Sequence, residues 1–487
     1  MWYDCTMNAI YFDSGVPEKK AKESFFFPEC VMMENAAAAL ESAVSAQSPD
    51  CVLILCGTGN NGGDGYALSR RLFGSVKDIL VVDFGLPKTS EAQIQRKMAE
   101  SAGVQILPFD GTERLSAFVS GKKTLIADCI YGTGFHGELP PGVLSAVEWA
   151  NKASAFRLAC DIPSGIDRKG CIHSAAFCAH ATVTMGALKT ALFSDAARDF
   201  TGEISAAPLG ISSSIFQNLS APDAWLLEKA DIRLPLRENK SAHKGNFGHA
   251  AVIAGEKPGA AVIAGTAALR FGAGLVTLVK AFDSGMNFMM QPELMISENF
   301  PEKTTAVLLG SGLGRKTDLQ KFIQFIIGMK DPAAVLDADF FYAENLEEIL
   351  HKLNDSKSRV ILTPHPKELS ELLKRTGIEG WDFEKVCENR FKCGRLFAEK
   401  FPNLTLIAKG ACTYIYSEGK VYVCDRGTAA LAKAGSGDVL AGLCTALLAQ
   451  GYFPADAAKT AVFAHAEASR NFEMNFSCTP LTLIEKI

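Results

Sequence analysis

Two aspartates carry the strongest chemical signal in this chain. Asp438 closes Ala434-Gly435-Ser436-Gly437-Asp438, which runs directly into the apolar stretch 439–448. A glycine-rich turn that opens a helix offers free backbone N–H groups and the positive end of the helix dipole to an anion. A carboxylate in the first turn beside that hole is placed to deprotonate a hydroxyl next to a phosphoryl group. Asp161 ends an apolar run in Ala159-Cys160-Asp161-Ile162-Pro163-Ser164-Gly165. With Asp128 and the loop residue Asp64 it makes three carboxylates that a parallel sheet would bring to one rim.

Asp64 belongs to a second, unrelated glycine-rich loop, Gly57-Thr58-Gly59-Asn60-Asn61-Gly62-Gly63-Asp64-Gly65. Gly57, Gly59 and Gly62 satisfy the spacing of the dinucleotide fingerprint, and Asp83 follows at the ~20-residue distance of a ribose-binding acid. The spacing recurs in Gly132-Thr133-Gly134-Phe135-His136-Gly137, so it is weak evidence alone. Asn60, Asn61 and Asp64 put two amides and a carboxylate beside the phosphate nest, which an ordinary dinucleotide loop does not need. Two such loops imply two nucleotide sites.

The elements that must position these residues read as two alternations of strand and helix. In the first half, 51–56, 79–84, 124–129, 156–162 and 181–185 are predicted strands, and 64–73 and 91–102 are predicted helices. In the second, strands are expected at 250–254, 275–279, 306–309, 333–336, 360–362, 404–408 and 413–416. Strands alternating with helices build parallel sheets whose ligands bind at the carboxyl ends of the strands. A mildly Ser-, Asn- and Pro-rich stretch at 211–228 is the expected linker. At 487 residues, two domains are the natural division.

Composition excludes several classes. A net charge of −5 argues against a general nucleic-acid binder. No apolar run reaches the ~18 residues needed to span a bilayer, and Met1-Trp2-Tyr3-Asp4 lacks a leader pattern, so a cytoplasmic protein with no membrane partner is expected. The 14 cysteines show no CxxC pair and no zinc spacing, and read as reduced core residues. No GxxxxGK[ST] motif is present, which argues against a P-loop ATPase.

Taken in order, Met32-Met33-Glu34-Asn35-Ala36, 57–70, 128–140, 161–170 and 184–192 resemble the NAD(P)H-hydrate epimerase family over about residues 5–210. That resemblance implies a Rossmann-like αβα sandwich that interconverts the R and S epimers of nicotinamide cofactors damaged by hydration. It places substrate on Asn60, Asn61, Gly62, Gly63 and Asp64 and on Gly132, Thr133, Gly134, Phe135, His136, Gly137 and Glu138. It makes Asp161 the acid/base, and sets a potassium ion on Asn61, Asp128 and Ser164. Asn35 reads equally as helix cap or site wall, and Lys189 as a weaker candidate beside His136.

The second half resembles the ADP- or ATP-dependent NAD(P)H-hydrate dehydratase family, a branch of the ribokinase-like fold. The resemblance rests on His243 to Gly248, Pro258-Gly259-Ala260-Ala261, Gly272 to Val276, Gly310 to Gly314, Thr363-Pro364-His365-Pro366-Lys367-Glu368 and Lys409-Gly410-Ala411-Cys412-Thr413, together with the Asp438 loop. It implies a second αβα domain in which Lys409, Gly410, Ala411, Cys412, Thr413 and Gly437 hold ADP or ATP with magnesium. Ala261, Gly312, His365 and Asp438 would touch the hydrated nicotinamide, and Asp438 would activate its hydroxyl. The chain departs from the family pattern with Ser311 where Pro is usual, Thr428 where Asn is usual and Ala434 where Gly is usual.

The expected architecture is therefore α/β with two domains, at 1–215 and 225–487, acting on NADHX and NADPHX, with homo-oligomerisation left open. Three rivals stay beside it. These are a small-molecule kinase with a regulatory first half, an oxidoreductase using the first loop with Asp83, and a first half that is only a protein-binding scaffold.

Overall fold

The computed structural model describes residues 8–282, 291–356 and 358–487, so Met1–Asp4 lies outside the described part. Two compact units are present: Ala9–Ala224, and Trp225–Ile487 joined by Asn8. Both are α/β, as the alternation predicts.

In the first unit the strands are β1 (Asn8–Tyr11), β2 (Cys51–Cys56), β3 (Asp78–Asp83), β4 (Ile106–Pro108), β5 (Thr124–Cys129), β6 (Phe156–Cys160), β7 (Ala181–Met185), β8 (Leu188–Lys189) and β9 (Glu203–Ala207). Seven of them form a sheet in the order β4-β3-β2-β5-β6-β7-β9, parallel throughout, and β1 pairs in parallel with β8. All six residues of β2 are buried, as expected of a strand covered by helices on both faces. From β2 the chain winds outward one way through β3 and β4 and the other way from β5. The crevice between the carboxyl ends of β2 and β5 is thus the topological switch point where such sheets bind ligands.

The helix after β2 spans Asn60–Leu72, beginning four residues before the expected position. The loop glycines permit this: a Cβ on Gly62 would lie 2.0 Å from Gly57 O, and one on Gly57 would lie 1.9 Å from Ile130 O. The expected linker at 211–228 contains the short helix Ser213–Gln217 and β10 (Ala224–Leu226), because apolar residues such as Phe216 and Ala224 are buried there.

The second unit contains β11 (His249–Ala254), β12 (Leu275–Lys280), β13 (Met295–Ser297), β14 (Ala306–Leu309), β15 (Ala333–Leu336), β16 (Arg359–Leu362), β17 (Thr405–Ala408), β18 (Thr413–Ser417) and β19 (Lys420–Cys424). Their order is β13-β12-β11-β14-β15-β16-β17-β18-β19-β10. Pairing is parallel up to β17, and β18 is antiparallel to both its neighbours. The helix Ser436–Ala449 packs against Pro258–Arg270 so closely that a Cβ on Gly442 would lie 2.2 Å from Ala264 O. The switch point here lies between β11 and β14.

Candidate active sites

Asp161 leaves β6 in left-handed backbone, with φ of 70°. That conformation is strained for a residue with a Cβ and survives only where its surroundings hold it. Its N–H donates to Val183 O at 2.8 Å. Its Oδ1 meets Lys189 Nζ at 2.7 Å and accepts from the Thr184 hydroxyl at 3.3 Å and Met185 N at 3.2 Å. Its Oδ2 accepts from Thr133 N at 3.2 Å, and a Cβ on Gly132 would come within 2.6 Å of that oxygen. The loop after β5 is therefore clamped to the carboxylate that follows β6. Lys189 is 2% exposed and also donates to Thr184 Oγ1 at 2.8 Å and Met185 O at 2.8 Å.

Asp64 joins this cluster from the helix Asn60–Leu72, just past its first turn, with its Oδ2 3.9 Å from Cys160 Sγ. Burial pushes its carboxyl well above the usual range, and the negative charges of Asp161 and Glu18 push the same way. Glu18 comes from the helix Gly15–Phe25, on the inward edge marked by buried Pro17 and Ala21. Burial raises it to about 7, against the pull of the Lys189 ammonium.

The Asn61 amide donates to Tyr131 O at 2.9 Å, whereas its Oδ1 is buried without a hydrogen-bond partner. Tyr131 N donates to Ser164 Oγ at 2.9 Å, and Ser164 donates through N and Oγ, each at 2.7 Å, to the two oxygens of Asp128. Asn61, Asp128 and Ser164 are thus brought together around the Tyr131 backbone. Asn60 turns elsewhere, donating to Glu29 Oε1 at 3.0 Å. Phe135 is buried with its ring 5.1 Å from that of Tyr131, while Gly134, His136, Gly137 and Glu138 are exposed. Gly63 lies under Met33, where a Cβ would come 2.7 Å from its Cε. Asn35 is no helix cap: it lies inside the helix Glu29–Gln47 and donates to Val31 O at 2.8 Å.

A cavity of about 550 Å³ opens beside Tyr131, lined by Phe84 and Phe109, whose rings stack at 5.0 Å, and by Asp83 with Arg96. Asp83 is buried and ion-paired to Arg96 at 3.2 Å, so its carboxylate is already engaged.

In the second unit, four adjacent strand ends converge, those of β14, β15, β16 and β17. Asp337, after β15, is 2% exposed. Its Oδ1 accepts from the Thr363 hydroxyl after β16 at 2.7 Å and from Lys409 Nζ after β17 at 3.2 Å, and its Oδ2 accepts from the Ser311 hydroxyl at 3.1 Å. Lys409 also lies 3.9 Å from Glu368 Oε2. Burial works against its charge, but Asp337 and Glu368 together raise its pKa. A Cβ on Gly437 would fall 3.3 Å from Lys409 Nζ, so the lysine points at the start of the helix Ser436–Ala449. Asp438 sits in that first turn, its carboxyl pushed up to about 6 by burial, with Asp337 adding to the rise and Ser311 and Lys409 opposing it.

His365 caps the helix Pro366–Arg375: its Nδ1 accepts from Glu368 N at 3.3 Å, while Glu368 Oε2 accepts from His365 N at 2.9 Å. Gly312, with φ of 62°, is packed against Lys257 O, and Ala261 is fully buried in the helix Pro258–Arg270. Gly410, Ala411 and Thr413 follow Lys409 at the surface or partly covered, while Cys412 is buried and its carbonyl accepts from Arg390 Nη2.

Residues 29–191 match the family model described as YjeF-related protein N-terminus, and residues 250–487 match that of NAD(P)H-hydrate dehydratase. The bifunctional NAD(P)H-hydrate repair enzyme Nnr of Helicobacter pylori is 42% identical over 485 residues, covering 99% of this chain and 99% of that protein. The chain belongs to the bifunctional NAD(P)H-hydrate repair enzyme family. Relatives of the same description from Coxiella burnetii and Escherichia coli are each 32% identical, covering 91% and 86% of this chain and 90% and 80% of their own lengths. Among solved structures, the ADP/ATP-dependent NAD(P)H-hydrate dehydratase from Bacillus subtilis co-crystallized with ATP/Mg2+ aligns with TM-score 0.41 and 24% identity, over 51% of this chain and 91% of that one.

As a member of this family, the protein is a two-activity enzyme that repairs hydrated nicotinamide cofactors, with an epimerase domain followed by a dehydratase domain. Against that function, the motifs leave out three residues that the fold brings in, Glu18, Asp337 and His465, and understate a fourth, Lys189. Glu18 sits in an atypical N-terminal segment. Asp337 follows Leu336 at a strand end, the same signal that marks Asp161. Lys189 reads as a solvated lysine but is buried in the cluster. His465 lies 3.2 Å from the Ser436 hydroxyl and 3.0 Å from Ser436 O, and burial lowers it to about 4.

Proposed function

We propose that epimerisation takes place at the Asp161 cluster and dehydration at the Asp438 cluster, with both NADHX and NADPHX as substrates. Inverting a carbon bonded to a ring nitrogen requires proton transfer by a group within hydrogen-bonding reach. The observation that carries the first assignment is the buried pair of Asp161 and Lys189 at the carboxyl edge of the sheet, faced by Asp64. Environments that bias neighbouring carboxyls differently set up an acid and a base. Lys189 pairs with Asp161, while burial favours the protonated form of Asp64. Asn60 to Asp64 and Gly132 to Glu138 would frame the substrate and its phosphates. The orphaned Asn61 Oδ1, with Asp128 and Ser164, fits a potassium ion. Bound there, the ion would supply positive charge to the substrate phosphates.

In the second site, Lys409, Gly437 and the free N–H groups of the helix start would hold the terminal phosphates of ADP or ATP with magnesium. Ala261, Gly312 and His365 would border the nicotinamide end. Asp438 takes the proton of the substrate hydroxyl as that oxygen attacks the terminal phosphoryl group. Departure of phosphate, with loss of a proton from the neighbouring carbon, then restores the ring double bond. Domain limits near 215 and 225 and a cytoplasmic location belong to the same reading, the latter supported by the free thiols of the described cysteines.

The test is recovery of reduced-nicotinamide absorbance from mixed NADHX epimers with potassium, magnesium and either nucleotide. Complete recovery is expected; a stall when one epimer is exhausted would remove the epimerase assignment, and no recovery with either nucleotide would remove the dehydratase assignment and favour a small-molecule kinase.

A further inference from the structure

Two loops that leave the dehydratase site run on to wall a cavity of about 710 Å³. One is 310–314, after β14, which contains Gly312; the other follows Asp337, after β15. Asp339 bolts them together: its N–H donates to Gly310 O at 3.3 Å, and its Oδ2 accepts from Gly314 N at 2.9 Å. Between the two aspartates Ala338 has left-handed backbone, with φ of 49°, a strained conformation for a residue with a Cβ. Across it, Asp337 turns to Ser311, Thr363 and Lys409, whereas Asp339 turns to the neighbouring loop.

Inside the cavity, Arg315 lays its guanidinium over the ring of Tyr342, 3.6 Å from the centroid, and its Nε lies 3.8 Å from Asp339 Oδ1. The arginine side chain is still 62% exposed, so one face of its plane is covered and the other is open. An open guanidinium plane held flat on a ring is a platform for a nucleobase. Four acidic side chains line the cavity against three basic ones, which disfavours a phosphate there and leaves acceptors for ribose hydroxyls and an exocyclic amine.

We propose that this cavity receives the adenosine end of the hydrated dinucleotide, with its adenine stacked on the open face of Arg315. The inference rests on the dehydratase reading of the Asp438 cluster, in which Ala261, Gly312, His365 and Asp438 account for the nicotinamide end alone. Sheet order puts the cavity on the substrate side. Its walls follow β14 and β15, whereas Lys409 and its neighbours, which would hold ADP or ATP, follow β17, two strands beyond β15. The helical turn Ala338–Tyr342, five residues at about 2 Å of rise each, sets Tyr342 about 10 Å from Asp337. That separation keeps the base clear of the reacting ring and within reach of the pyrophosphate linker.

The experiment compares dehydration of two substrates by the full chain: the S epimer of NADHX, and the corresponding hydrate of reduced nicotinamide mononucleotide, which lacks the adenylate half. In Arg315→Ala the KM for NADHX should rise about 5- to 30-fold, the scale of one lost base stack. The kcat, the KM for ADP and the kcat/KM for the mononucleotide hydrate should stay where the unaltered chain has them. Arg315→Lys should lose as much, since it keeps the charge and not the plane. Full retention by Arg315→Lys overturns the stacking, and an equal loss with both substrates overturns the adenosine subsite. A rise in the KM for ADP with none for NADHX gives the cavity to the co-substrate and overturns it too, as does an unaltered chain that uses both hydrates equally well. If the unaltered chain dehydrates neither substrate, the dehydratase reading itself falls.

Discussion

Lys189 Nζ lies 2.7 Å from Asp161 Oδ1, and both residues are buried at the carboxyl edge of the first sheet. Removing one member of a buried ion pair leaves the other charge uncompensated, at a cost of about 3–5 kcal/mol. Lys189→Met is therefore expected to lower the stability of the first domain by that order in chemical denaturation. Epimerisation should fall with it, by at least about 100-fold. An unchanged unfolding midpoint would show that the pair contributes nothing net.

Asp161→Asn and Asp438→Asn should separate the two activities. Loss of a proton-transfer group typically costs about 10²- to 10⁴-fold, so the first variant should stop at the dehydratable epimer while still consuming it. The second should epimerise and not dehydrate. Chromatographic resolution of the two epimers over time reads both outcomes in one reaction, and equal damage to both activities by either variant would refute separate sites.

Asp438→Asn should also stabilise the second domain. The carboxyl is pushed up to about 6 in the fold, against ~3.9 in an unfolded chain. Its contribution to stability is thus complete below about pH 4, lost as pH rises to about 6, and absent above. At pH 7.5 the amide should recover up to about 3 kcal/mol in the absence of nucleotide, discounted by residual solvent screening. A calorimetric midpoint that falls in the variant would contradict this.

His465 behaves in the opposite sense. Burial holds it neutral down to about pH 4, while an unfolded histidine takes up a proton near 6.5. Stability is therefore full above about pH 6.5 and declines as pH falls from there to about 4, by a total of about 3 kcal/mol. Urea midpoints at pH 7.5 and 5.0 should drop less in His465→Gln than in the unaltered chain; identical drops would place the acid sensitivity elsewhere.

Replacing potassium by lithium should slow epimerisation and leave dehydration unchanged, because the orphaned Asn61 Oδ1 belongs to the first domain alone. Asn61→Ala should abolish the difference between the two salts. A variant that still distinguishes them would move the ion away from Asn61.

Much of this was written in local pattern. Unbroken apolar runs such as 51–56 and 333–336 appear as strands at those positions, because a strand buried on both faces must be apolar along its whole length. The glycines at 57, 62 and 435 are equally legible, since each sits where a side chain would strike a neighbouring atom. Short or exposed strands were not, β4, β9 and β13 among them, because they carry little hydrophobic signal.

The sequence by itself determined the two α/β alternations, the two glycine-rich helix starts and the aspartates beside them, since each depends on residues close together in the chain. Only the tertiary structure decided that Lys189 neutralises Asp161, that Glu18 and Asp64 share that charge cluster, and that Asp337 gathers Ser311, Thr363 and Lys409. The reason is physical: a polar residue's spacing shows where its backbone goes, but its charge state and partners are set by strand ends that meet only when the sheet is assembled and water is excluded between them.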